Sequence, residues 1–187
     1  MKKFKLSENI TTNRLILRRR SHNDDEQMWQ AIDESREFIR EYLAWVDDTK
    51  SFDDVVKASD MFHDEWETDK EWCYDIFDKN DRLVGCIGVH RISFLNQSAE
   101  FGYWLRQSET HKGYMTEAVL NLERALFEAG IHRIEICCDI NNTASANVAK
   151  RAGYMFEGTA KEALYHYSGL HDKMIFFKLS PYPVKDL

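Results

Sequence analysis

Thr110-His111-Lys112-Gly113-Tyr114-Met115-Thr116-Glu117-Ala118-Val119 (THKGYMTEAV, residues 110–119) joins a segment that reads as a strand to one that reads as a helix. Upstream, Ala99-Glu100-Phe101-Gly102-Tyr103-Trp104-Leu105 has the apolar and aromatic content of a strand. Downstream, Val119, Leu122, Ala125, Leu126 and Ala129 share one helical face, and Gly130 supplies a stop. Ile134-Glu135-Ile136-Cys137-Cys138 then reads as a second strand. A strand–helix–strand unit of this length predicts a crossover whose two strands are parallel. Gly113 lets the backbone turn without a Cβ. The first turn of a helix has free N–H groups and a positive dipole end, so this turn is suited to an anion. Arg106, His111 and Lys112 add positive charge nearby, and the chemistry that fits is a pyrophosphate. Neither G-x-x-x-x-G-K-[ST] nor G-x-G-x-x-G occurs, so this is neither a kinase-type phosphate loop nor a dinucleotide fingerprint.

Working outward, Arg14 to Arg18 reads as a first strand. Asp24 and Asp25 open a helical region, with Met28, Trp29, Ile32, Phe38, Ile39, Tyr42, Leu43 and Trp45 as its apolar positions. The break after Ile32 predicts two short helices. Ser51 reads as an N-cap for a further helix, with Val55, Val56, Met61, Phe62 and Trp66 as its stripe. Residues 72–77, 83–89 and 99–105 predict an antiparallel meander, with turns at 78–81 and 96–97. Gly85 and Gly88 suggest a bulge or a close backbone approach. After the crossover, residues 142–152 predict a helix with Ala144, Val148, Ala149 and Ala152 inward. Two last strands are expected at 155–157 and 174–179, around a hairpin tip at Ser168-Gly169. The fold class is mixed α/β (α+β), with helices covering a mostly antiparallel sheet that contains one parallel pair.

Composition bounds the function. The chain has 187 residues, 43% hydrophobic and 30% charged, which suits one globular domain. A net charge of −7 argues against broad nucleic-acid binding and mildly favours a cationic partner. Arg18-Arg19-Arg20 reads as a strand with exposed arginines. No apolar run has the length of a membrane span or a signal peptide. Cys73, Cys86, Cys137 and Cys138 form no C-x-x-C pair and read as reduced, mostly buried thiols, so a cytoplasmic protein is expected. His166 and His171 lack a metal-site spacing, and no metal is expected.

Residues 99–105, Lys112-Gly113-Tyr114-Met115-Thr116-Glu117-Ala118, Asn141 to Ala149, Gly153-Tyr154 and Glu157-Gly158 together resemble the GNAT acetyltransferase superfamily. The match is nearest to its RimJ/RimL-type branch, which acetylates the N-termini of ribosomal proteins. The resemblance implies a single acetyltransferase domain over residues 1–187 that uses acetyl-coenzyme A. It implies a V-shaped split between strands 99–105 and 134–139. Main-chain groups of Trp104, Leu105 and Arg106 would pair with the pantetheine arm. Amides of His111, Lys112, Gly113, Tyr114, Met115 and Thr116 would hold the pyrophosphate. Asn142 and Ser145 would face the pantetheine and the sulfur. The stretch departs from the family's loop pattern at Thr110, His111 and Met115. Ala149 stands where many relatives have a tyrosine acid.

For the chemistry, Glu100 and Glu162 are the candidate bases, and Ser145 is the candidate to return a proton to the thiolate or bind the sulfur. Tyr103 is an alternative donor. A main-chain N–H near Leu105 would stabilise the oxyanion. Trp29, Trp45 and Trp66 are expected to fill core or line the acceptor pocket. The expected acceptor is a protein N-terminal amine. A small amine, such as a polyamine or an antibiotic, and a non-catalytic acyl-coenzyme-A-binding module are the alternatives. Relatives often form dimers, so a homodimer belongs with these expectations.

Overall fold

The computed structural model describes residues 6–183. Strands β1 (Asn9–Thr11) and β2 (Leu15–Arg19) come first, then helices α1 (Asp25–Arg40) and α2 (Phe52–Glu67). Strands β3 (Trp72–Asp78), β4 (Leu83–Ser93) and β5 (Ser98–Leu105) follow, then helix α3 (Tyr114–Ala129) and β6 (Arg133–Asp139). Helix α4 (Thr143–Arg151) and the hairpin β7 (Met155–His166) and β8 (Gly169–Leu179) are the last elements among the described residues. The eight strands form one sheet in the order β1-β2-β3-β4-β5-β6-β8-β7. Among the described residues, only β5 and β6 pair in parallel, as the crossover requires.

Both faces of the sheet are covered, because strand alternation sends apolar side chains both ways. Leu15, Leu17, Ile76 and Phe101 join α3 and α4 in one core. Ile16, Phe77, Cys86 and Trp104 pack toward Met28, Ile32, Ile39 and Val55 of α1 and α2 in a second core.

Several local expectations are corrected. Helix α1 runs unbroken past Ile32, because Ser35 occupies the core-facing turn between Ile32 and Ile39. Its hydroxyl oxygen accepts the Gln107 N–H at 3.1 Å, so a polar side chain sits inward without an orphaned group. Ser51 and Asp54 form the capping box of α2. Met61 is exposed, and Ser59 takes its place inside. Ser59 does so because Arg20 is buried rather than exposed: its Nε donates to Ser59 Oγ at 3.1 Å, and Asp75 lies 3.4 Å from its Nη1. Ala144 faces solvent while Ala146 is buried in α4. The last two strands are far longer than their apolar cores, extending through the charged residues of an edge hairpin. Strand β1 was not anticipated.

The β3–β4 ladder of the meander holds one bulge. The β3–β4 register passes from Ile76↔Gly85 to Phe77↔Leu83, and a Cβ on Gly85 would lie 2.3 Å from the Trp104 carbonyl oxygen. The position of the site depends on a second irregularity. β5 and β6 pair only from Ser98↔Arg133 to Phe101↔Ile136. Beyond that, β5 stays with β4 to Gly85↔Leu105, and β6 stays with β8 to Asp139↔Lys173. Residues 102–105 and 137–139 therefore flank a wedge-shaped gap in the sheet.

Candidate active site

One wall of the gap is β5. The Arg106 N–H donates to Val84 O at 2.9 Å, which sets the phase of the strand. Alternation then turns the main-chain groups of Trp104 and Arg106 toward β4 and those of Tyr103 and Leu105 toward the gap. The main chain of Leu105 thus faces the gap. The expectation for Trp104 and Arg106 is corrected, since their main chains are turned to the β4 ladder. The Arg106 side chain is also committed: Nε donates to Leu83 O at 2.6 Å, and Nη1 lies 2.7 Å from Glu34. It adds no free charge to an anion site.

The loop beyond β5 leads to the mouth of α3. Gly113 is its N-cap at φ +77°, a conformation that glycine adopts without a Cβ penalty. The first bond into the helix runs from Glu117 N–H to Gly113 O at 3.1 Å. The N–H groups of Tyr114, Met115 and Thr116 therefore have no partner within the helix, which is the anion-binding geometry the sequence suggested. The Met115 side chain is buried in the core, so this departure from the family pattern leaves the loop surface clear. His111 is exposed and also takes a positive φ of 61°.

Charge around this mouth differs from expectation. Lys112 Nζ is 2.8 Å from Glu109, and Arg82 binds the other Glu109 oxygen at 2.7 Å, so Lys112 braces its own loop. Sequence reasoning missed Arg14 and Arg151. Arg14 Nη1 donates to Lys112 O at 2.8 Å, its Nε binds Glu117 at 2.6 Å, and its guanidinium lies over the Tyr114 ring at 4.9 Å. Burial pushes the Glu117 carboxyl up, but hydrogen bonds from Thr12 and Arg14 outweigh it and hold Glu117 below the usual range. Arg151, in the last turn of α4, reaches Thr116 Oγ1 at 3.5 Å. Neither arginine carries a local signal, because each arrives from a distant part of the chain.

The other wall joins β6 to α4. Asn142 caps α4, its Oδ1 accepting the Ser145 N–H at 3.0 Å. Ser145 Oγ is 3.0 Å from Tyr103 Oη, across from β5. Burial pushes the Tyr103 phenol well above its ordinary value, with Ser145 acting against the shift. Burial likewise raises the Cys138 thiol, again opposed by Ser145. Ser145, Tyr103 and Cys138 thus meet on the α3/α4 side of the gap, and Tyr103 remains protonated at neutral pH. Ala149 is fully buried and serves as packing.

Glu100 lies on the opposite face, with Gly102 and Trp104. Arg91 Nη1 is 3.5 Å away, and Glu135 and Cys137 are close neighbours. Burial, and then Glu100, push the Cys137 thiol up to about 12, so neither Cys137 nor Cys138 is a ready nucleophile. Glu162 stands apart. It is exposed at a bulge with φ +48°, its N–H donating to Asp172 at 3.1 Å, and no contact joins it to Ser145. Of Trp29, Trp45 and Trp66, it is Trp45 that reaches this region, its ring 6.1 Å from that of Trp104. Trp29 packs in the α1 core, and Trp66 lies against Tyr74.

The acetyltransferase (GNAT) domain family matches residues 14–155. The ribosomal-protein-serine acetyltransferase of Escherichia coli (strain K12) is 28% identical over 163 residues, covering 85% of this chain and 89% of that protein. A Bacillus subtilis (strain 168) protein named "Probable N-acetyltransferase YjcK" is 30% identical over 152 residues, covering 79% and 84%. Among solved structures, a RimL ribosomal L7/L12 alpha-N-protein acetyltransferase in complex with coenzyme A superposes with a TM-score of 0.88. It is 25% identical, with 92% of this chain and 98% of that one covered.

Proposed function

This chain belongs to the acetyltransferase (GNAT) domain family, and we propose that it transfers the acetyl group of acetyl-coenzyme A to the α-amine of a protein N-terminus. Its activity as an acetyl-coenzyme-A-dependent N-acetyltransferase is the family's chemistry. The N-terminal acceptor is the finer reading, supported by the ribosomal-protein acetyltransferases it resembles. Such an acceptor sets the reaction in the cytoplasm. The single observation that carries the reading is the gap after Phe101 and Ile136, opening beside the unpaired N–H groups of α3.

Acetyl-coenzyme A supplies an activated acetyl thioester. The N–H groups from Gly113 to Thr116 hold the diphosphate, with Arg151 adding charge and Arg14, paired with Glu117, bracing the turn. Main-chain groups of Tyr103 and Leu105 pair with the pantetheine arm, and the Leu105 N–H faces the carbonyl oxygen where negative charge develops. Holding both reactants in one gap supplies much of the rate. An α-amine has a reference pKa of about 7.7–8.0 and a lysine about 10.4, so an N-terminus needs only a mild base. Glu100, on the acceptor face, takes that proton through water. The hydrogen-bonded Tyr103 and Ser145 return a proton to the departing thiolate. Trp45 and Trp104 form an apolar wall beside the incoming chain.

Coenzyme A release with peptides of different first residues, a peptide with a blocked N-terminus and a free lysine, and a set of polyamines tests this reading. Turnover of free α-amines alone is expected. Turnover confined to polyamines or lysine side chains would overturn the N-terminal acceptor.

A further inference from the structure

Asp139, at the end of β6, is buried and faces two imidazoles from the β7–β8 hairpin. His171 Nδ1 lies 2.5 Å from Asp139 Oδ2, and His166 Nε2 lies 3.2 Å from the same oxygen. The two contacts differ in kind. His171 forms a hydrogen bond with the carboxylate. His166, also buried, is close but misaligned, and its Nε2 has no hydrogen-bond partner among the described residues. A buried ring nitrogen without a partner is costly, and sequestered polar groups normally find one. Two donors bound to one tetrahedral ion at ~2.0–2.1 Å stand about 3.3 Å apart, side by side and not pointed at each other. The 3.2 Å between His166 Nε2 and Asp139 Oδ2 matches that spacing, while His171 Nδ1, at 2.5 Å, would draw back from the carboxylate to bind the same ion. All three donor atoms lie within 4.8 Å of one another.

We propose that Asp139, His166 and His171 form a binding site for a divalent transition-metal ion of the zinc class. Two imidazoles and one carboxylate match the ligand preferences of such ions. The outer contacts also suit the role. The Asn141 N–H donates to Asp139 Oδ1 at 2.7 Å, so Oδ2 is the oxygen that faces both imidazoles, and an ion would take the place of the hydrogen bond it shares with His171. His171 Nε2 is 2.9 Å from Ser168 Oγ. With the ion bound, Nε2–H donates to Ser168 and the Nδ1 lone pair faces the metal, the usual second contact of a ligating histidine. Three protein ligands leave one coordination position for water or an acceptor group, the pattern of open sites and not of closed structural ones. The cluster shares a sheet face with Cys137 and Glu135, alongside the gap. It depends on three chain positions that no short motif links, which is why the sequence read these histidines as structural.

The test uses the full chain after treatment with a chelator. Zn²⁺ is titrated by calorimetry, and Co²⁺ is titrated by visible absorption. The expected result is one ion per chain, with a cobalt spectrum of nitrogen and oxygen ligands. His171→Ala and Asp139→Asn are each expected to weaken binding about tenfold or more, and Ser168→Ala about tenfold. Circular dichroism confirms that each variant is folded, and His171, less buried than His166 and Asp139, is the safer change. Absence of saturable binding to the wild-type chain overturns the proposal. So does a thiolate-to-cobalt charge-transfer band, or unchanged affinity in folded His171→Ala. None of these readouts requires acetyl transfer, so the site stands or falls apart from the acceptor assignment.

Discussion

Tyr103 Oη sits 3.0 Å from Ser145 Oγ, linking the strand on one side of the gap to the helix on the other. Burial keeps the phenol protonated, so the pair can donate toward the space between them. Tyr103→Phe and Ser145→Ala are each expected to lower kcat by about 10²-fold, the usual scale for losing a general acid. Acetyl-coenzyme A affinity should change little. Steady-state kinetics beside calorimetry checks both halves, and an unchanged kcat in both variants would remove the pair from the mechanism.

The two carboxylates are separable. Glu100 lies on the face of Trp104, whereas Glu162 is exposed on an outer bulge. Glu100→Gln is expected to cost about 10²-fold in kcat/KM at neutral pH, with Glu162→Gln close to wild type. The reverse ranking would move the base to the hairpin.

Gly113 is a backbone requirement. Its φ of +77° is costly for a residue with a Cβ, although the nearest atom to an added Cβ, Arg14 Nη2, is at an ordinary 3.5 Å. Gly113→Ala is therefore expected to lose about 1–2 kcal/mol through conformation alone. It should also weaken acetyl-coenzyme A binding. Gly113→Asn, which tolerates the left-handed region better, should recover part of both. Thermal unfolding and calorimetry on the two variants make the comparison.

Gly85 and Gly158 form a contrasting pair. A Cβ on Gly85 meets the Trp104 carbonyl at 2.3 Å and the Leu105 Cα at 2.9 Å, whereas one on Gly158 meets nothing within 4 Å. Gly85→Ala should destabilise by about 1–3 kcal/mol, because main chain must move. Gly158→Ala should stay within about 0.5 kcal/mol of wild type. Urea unfolding of both proteins decides it.

Asp75 predicts a pH dependence of stability. Burial raises its carboxyl from 3.8 to about 6, against the pull of Arg20. Between those values the folded chain keeps a proton that the unfolded chain has lost. This contribution is full below the lower value, declines as pH rises through the window and is gone above the upper one. Asp75→Asn holds the neutral form, so that decline should vanish from unfolding profiles recorded between about pH 4 and pH 6. An identical slope in the variant would assign it to another group.

Much of the fold was legible because its signals are local. The strand content of 72–77, 83–89 and 99–105, the stripe through Val119, Leu122 and Leu126, and the stops at Gly130 and Gly153 each act within a few residues. The misses share one cause. Ser35 and Ser59 are polar side chains placed inward, where partners far along the chain satisfy them. Periodicity reads polarity, not partnership, so it broke α1 at Ile32 and put Met61 inside. The outer hairpin was underestimated for a similar reason, since its pairing is held by main-chain bonds that charged side chains do not reveal.

By itself the sequence determined the parallel crossover, the turn at Gly113 and the family chemistry, because each rests on short spacings and on the few residues able to adopt a given backbone. Tertiary structure alone decided which groups meet. It turned Leu105 inward and Arg106 away, brought Arg14 and Arg151 to the mouth of α3, joined Tyr103 to Ser145, and gathered Asp139, His166 and His171. Such encounters depend on strand phase and on where the β5–β6 pairing ends, and these are set by packing of the whole sheet.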